Sequence, residues 1–196
     1  NPNVTILSDL CSSESVQGTF RIEEKNGTAS LVPSTDGLAM RSRTLDDILL
    51  DHPFAQHADI LKVDTDGYDL KVLAGARSLI HDRQPIVLFE CAPFGNPNYP
   101  QDVLSTLRGF VQANYQDCLI YNHQGAMIGK FSLSDLSPIE NLLFYQCLTD
   151  TLYYDILVMT PNSLGDFYRK ELEFFQSSMP IPSMRWTEQW VLSNGY

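Results

Sequence analysis

Apolar and polar positions alternate, cluster and recur in different ways along this chain. Near-continuous apolar runs occur at "ADILKVD" (58–64), "PIVLFE" (85–90) and "YYDILVM" (153–159). Runs of that length without alternation mark strands covered on both faces, so the three are expected as strands of a parallel sheet. Between the first two, Leu70, Leu73, Ala76 and Ile80 recur at helical spacing within "YDLKVLAGARSLI". That spacing predicts one helix, and hence a strand, helix, strand unit with a right-handed crossover. A second amphipathic helix is expected from about Gln101 to Tyr115, where Val103, Leu104, Leu107, Phe110 and Val111 share one side.

The segment between them, "CAPFGNPNYP", is dense in Pro, Gly and Asn and reads as a loop. "CLIYNHQGAMIG" carries two short apolar runs around "NHQG" and predicts a hairpin, which adds an antiparallel pair late in an otherwise parallel sheet. The first 45 residues have another texture. "NVTILSDL" reads as a strand, and "GTFRIEEKNGTASLV" as two strands joined at "KNG". "SRTLDDILLDH" is a short helix with Thr44 as N-cap and Asp46 and Asp47 in its first turn. "LGDFYRKELEFFQ" is an amphipathic helix, and the aromatic tail "IPSMRWTEQWVLSNGY" takes no assignment.

With 196 residues the chain suits one domain. We read it as a single unit over 1–196, with a strand and hairpin region (1–45), an α/β core (46–161) and a C-terminal helix and tail (162–196). No stretch is apolar enough to span a membrane and no secretory signal opens the sequence, so a cytoplasmic setting is expected. The four cysteines form no CxxC pair, which disfavours a metal finger or a disulfide framework. A net charge of −11 repels phosphate backbones, excludes nucleic acid as an expected partner and suits a cationic ligand.

Candidate chemistry lies where apolar strands end in acids. Open α/β sheets bind ligands outside the carboxyl ends of their strands. Asp64 ends the first apolar run and Glu90 the second, so both are expected at one crevice. Asp66, followed by Gly67 and Tyr68 with Asp69 three residues on, fits an N-cap as well as a ligand contact. His123 is a further candidate base, although its hairpin turn favours a solvated role, as do the positions of His52, His57 and His81.

"RTLDDIL", "ILKVDTDGYDLKVLAGARSLI" and "PIVLFE", in that order, closely resemble the FkbM-type S-adenosylmethionine-dependent methyltransferases. The resemblance covers about residues 3–92. It implies a Rossmann-like class I methyltransferase sheet, mostly parallel with a late antiparallel strand. It also implies S-adenosylmethionine as cofactor and a hydroxyl on a sugar, glycan or polyketide-like small molecule as acceptor. For methyl transfer Asp64 and Glu90 are the catalytic candidates, Asp64 as holder of the sulfonium end or as the base and Glu90 as the residue that orients the acceptor. On this resemblance Asp64 lies near the methionine end of the donor, Asp66 stands where the family has Glu, and Ser8 and Asp9 fall at the turn beside the adenine. In the loop 91–100, Phe94 and Tyr99 are candidates either to stack on an acceptor ring or to pack the loop down.

The family's first strand and glycine-rich cofactor loop would lie upstream of Asn3, and no G-x-G stretch occurs in the chain. The resemblance therefore implies the carboxyl-terminal portion of a longer methyltransferase. Such a portion would bind cofactor poorly alone and leave the strand at 58–64 with a bare edge. Two other classes compete: a Mg²⁺ enzyme using Asp64, Asp66 and Glu90, and a non-catalytic partner-binding domain of the same fold.

Overall fold

A computed structural model describes residues 4–25, 28–93, 96–149 and 152–178. Two sheets organise them. The smaller contains β1 (Leu10–Cys11), β2 (Gln17–Lys25), β3 (Thr28–Pro33) and β4 (Leu38–Arg43) in the order β1-β4-β2-β3. The β2–β3 hairpin matches expectation, with Lys25 opposite Thr28 on either side of Asn26 and Gly27. The strand expected at 3–10 shrinks to Leu10–Cys11. Val4 and Ile6 are 60% and 84% exposed, with no strand paired to them among the described residues. The unforeseen β4 pairs parallel to β1 and antiparallel to β2.

The larger sheet has the order β5-β6-β9-β7-β8, from β5 (Ile60–Val63), β6 (Ile86–Cys91), β7 (Asp117–Asn122), β8 (Met127–Ser132) and β9 (Tyr154–Val158). β5 and β6 are parallel and β7–β8 is a hairpin, both as expected. β9 corrects both the reading of 153–159 as a parallel strand and the expected mostly parallel sheet, because it runs antiparallel to β6 and β7 and leaves β5–β6 as the one parallel pairing of this sheet among the described residues. Its continuous apolar run reports a central strand covered on both faces, a property independent of direction. β5 pairs only with β6 and is an edge among the described residues, with Ile60 63% exposed.

α1 (Leu45–Asp51) starts as expected, with Thr44 Oγ1 accepting the Asp47 N–H at 3.0 Å. The single helix expected at 68–80 is two, α2 (Asp69–Ala74) and α3 (Arg77–Arg83). The break has a cause at a distance. Gly75 sits so close to the β1 end that a Cβ would lie 2.2 Å from the Ser12 carbonyl oxygen. The Gly75 carbonyl accepts the Asp46 N–H at 2.9 Å. The Asp46 carboxylate then accepts the N–H groups of Ser78 (2.8 Å) and Leu79 (3.1 Å), which starts α3 afresh.

α4 (Tyr99–Gln112) begins two residues before the expected start. α5 (Ser137–Thr149) was not foreseen. It is apolar around much of its circumference, with Phe144 and Leu148 exposed, so no single stripe announces it. α6 (Pro161–Ser178) contains the helix expected at 164–176.

Strand alternation splits the core into two layers. Val63, Val87, Phe89, Ile120, Ile156 and Val158 pack with α2–α5, whereas Leu119, Leu157 and Met159 pack under Leu164, Tyr168 and Leu172 of α6. Among the described residues no helix is long and apolar enough to cross a membrane.

Candidate active site

The same alternation fixes the site. Lys62 and Asp64 from β5 and its end, Leu88 and Glu90 from β6, and Asp155 and Leu157 from β9 all line one groove of about 730 Å³ on the α6 side. Pairing register places Glu90 opposite Asp155, and Asp155 opposite Tyr121. Because β9 is antiparallel, its first residues meet the carboxyl ends of β5 and β6, so three carboxylates share one rim. The floor behind them is apolar (Ile86, Leu88, Leu157, Met159), and Phe167 and Glu171 of α6 form the far wall. The Tyr121 hydroxyl donates to the Glu171 carboxylate at 3.1 Å.

The rim is electrostatically tense. Burial pushes the Glu90 carboxyl up to about 7, and the negative charges of Asp69, Asp64, Asp155 and Asp66 add to the rise. Asp155 is raised for the same reasons, burial first and Asp64 next, with Lys62 opposing. Lys62 donates to Asp64 at 2.5 Å and is the cation within this acidic set; that bond holds its ammonium above the usual lysine range. Among the described residues no hydrogen-bond donor satisfies Glu90 or Asp155. Such a rim attracts a cation, and it holds a carboxyl able to accept a proton near neutral pH.

Asp66 lies elsewhere. Asp66 and Gly67 have φ of +48° and +100°, in a turn closed by the Tyr68 N–H to the Thr65 carbonyl at 3.3 Å. The N-cap is Tyr68, not Asp66. Asp69, 3% exposed, holds the turn by accepting the Thr65 hydroxyl (3.1 Å) and the N–H groups of Gly67 (3.3 Å) and Thr65 (3.4 Å). Asp66 is exposed and is not part of the groove wall.

Ser8 and Asp9 are exposed ahead of β1, away from the groove lining, and Asp9 pairs with Arg43 at 3.3 Å. Ser13, a few residues on, lines a smaller recess of about 210 Å³ that also reaches Glu90. Tyr99 corrects its expected place in a loop. It opens α4, is 1% exposed, and its hydroxyl donates to Gln146 Oε1 at 2.7 Å and lies 3.1 Å from Cys91 Sγ. A ring so placed fills the core and offers no face to an acceptor. Phe94 lies outside the described residues. His123 is half-buried rather than solvated, its ring 5.7 Å from Tyr153 and its Nδ1 without a partner among the described residues. Among the described residues no three His, Cys, Asp or Glu side chains converge as a metal site, which removes the main support for the Mg²⁺ reading.

Sequence reasoning missed Asp155, Tyr121, Lys62 and Glu171. Asp155 carried the same signal as Asp64 and Glu90, an acid interrupting an apolar run, but it stands at the start of its strand. Only the reversed direction of β9 brings it to the rim.

The sequence profile of the methyltransferase FkbM domain matches residues 5–116, more than half of the chain. The chain belongs to the FkbM methyltransferase family. No curated protein and no solved structure matches it. The matched stretch supplies Lys62, Asp64 and Glu90 of this FkbM domain, whereas Tyr121, Asp155 and Glu171 come from the residues beyond it.

Proposed function

We propose that this FkbM domain transfers a methyl group from S-adenosylmethionine to a hydroxyl of a small-molecule or glycan acceptor, with Glu90 as the general base. The observation that carries the reading is the Glu90 carboxyl, raised to about 7 at the rim of a groove it shares with Asp64 and Asp155. When bound, S-adenosylmethionine supplies an electrophilic methyl on a sulfonium. The donor set on this rim fits the cationic end of that molecule, and Asp64 and Asp155 are the residues that would hold it. For the adenosyl part, Ser13 beside Gly67 is a better-placed candidate than Ser8 or Asp9.

An alcohol is a weak nucleophile until a positioned base accepts its proton, and a base works best with a pKa near the working pH. Glu90 meets that condition first because it is partly buried and then because its neighbours are acidic. The apolar floor lowers the local dielectric on one side of Glu90 and strengthens its charge interactions. Lys62 steadies Asp64 and offsets part of the rim's negative charge.

The test separates binding from chemistry. Glu90→Gln should lower methyl transfer to a hydroxyl-bearing acceptor panel by about 10²- to 10⁴-fold while S-adenosylhomocysteine binding by calorimetry is unchanged. Asp64→Asn should weaken that binding. Full turnover in Glu90→Gln would remove it as the base.

A further inference from the structure

We propose that the cleft between α3 and α4 binds a phosphate-bearing ligand, held by Arg77 and Arg108. The cleft measures about 400 Å³ and shares no lining residue with the acidic groove. Arg77 and His81 face it from α3, and Ser105, Arg108 and Gln112 from α4. Residues 105, 108 and 112 recur at helical spacing and so form one side of α4.

The lining of this cleft is basic, with the adjacent carboxylate, Asp82, paired to His81 at 2.9 Å. The chain carries 24 acidic and 13 basic residues, yet none of the residues lining the cleft is acidic. Among the described residues neither Arg77 nor Arg108 has a carboxylate partner, unlike Arg21, Arg43 and Arg169. Arg77 is not there to support its helix. It opens α3, the end that a helix dipole makes least hospitable to a cation. The N–H groups behind it are already taken by Asp46. Arg77 and Arg108 line the cleft from two helices, and the planar fork of a guanidinium matches a tetrahedral oxyanion.

Gly109 lines the same cleft. At Gly109 a Cβ would meet nothing within 4 Å, so core packing does not demand the glycine. A side chain added there would therefore reach the cleft without disturbing the core.

Calorimetry on the full chain, titrated with inorganic phosphate, glucose 6-phosphate and acetate, tests this site. Saturable binding of the phosphates, with a Kd of about 1 mM or tighter, is expected, with acetate binding much more weakly. Tighter binding of the sugar phosphate than of inorganic phosphate would assign the anion to a metabolite, and equal binding would assign it to free phosphate; both support the site. Arg77→Gln/Arg108→Gln should lose at least about tenfold in phosphate affinity, whereas Arg83→Gln, outside the cleft, should lose none. Gly109→Glu, which places a resident carboxylate at the mouth without disturbing the core, should also abolish binding. Phosphate binding no tighter than acetate, or binding that survives both the double variant and Gly109→Glu, would overturn the proposal.

Discussion

Asp46 and Asp69 on one side, and Glu90 and Asp155 on the other, are the same chemistry in opposite circumstances. Asp46 accepts two backbone N–H groups and Asp69 three donors, so both are absorbed into architecture. Glu90 and Asp155 sit half-buried at the end of the sheet with acidic neighbours and no donor among the described residues, and their protons are held more tightly. A carboxylate surrounded by donors builds the fold. One surrounded by other carboxylates is available for reaction.

The sharpest way to break this comparison is to remove charge on the reactive side. The loss of about 10²- to 10⁴-fold expected for Glu90→Gln in methyl transfer should come with an unchanged fold by circular dichroism. On the architectural side the largest effect belongs to Gly75→Ala. Its Cβ would collide with backbone that cannot swing away, and we expect a cost of about 3 kcal/mol, read as a lower denaturant midpoint at constant slope. Asp46→Ala removes the start of α3 from a distance and should cost about 1–2 kcal/mol by the same measurement.

The smallest effect carries a sign. Glu90 binds its proton more tightly when folded than its ordinary value of 4.5 allows, with a midpoint of about 7. Below 4.5 it is protonated in both states and costs nothing. Between 4.5 and 7 the folded state holds more protons, so stability falls as pH rises, and above 7 the ionised carboxylate leaves its full penalty. Glu90→Gln should therefore raise the melting temperature at pH 8 and leave it unchanged at pH 4. Partial exposure screens the penalty to about 1 kcal/mol or less, or roughly 2–4 °C.

How much of this was legible in the sequence depended on how far away each cause lay. β5 and β6 were readable because two-sided burial leaves an apolar run, and Asp64 and Glu90 because an acid closing such a run has few structural reasons to be there. The break at Gly75 was not, since its cause is Asp46 and Ser12, about 30 and 60 positions upstream. Tyr99 looked like a loop aromatic because its partner Gln146 is 47 positions away. Asp155 was hidden by strand direction, which pairing decides and periodicity does not. The FkbM pattern marked two carboxylates that line the groove, Asp64 and Glu90, while the turn acid Asp66 and the early pair Ser8 and Asp9 stand apart from it.

The most direct test of the central claim is a carbon-detected NMR titration of the Glu90 carboxyl. The account predicts a midpoint near 7 that falls when Asp155 is replaced by Asn. A midpoint near 4.5, unmoved by Asp155→Asn, would contradict it.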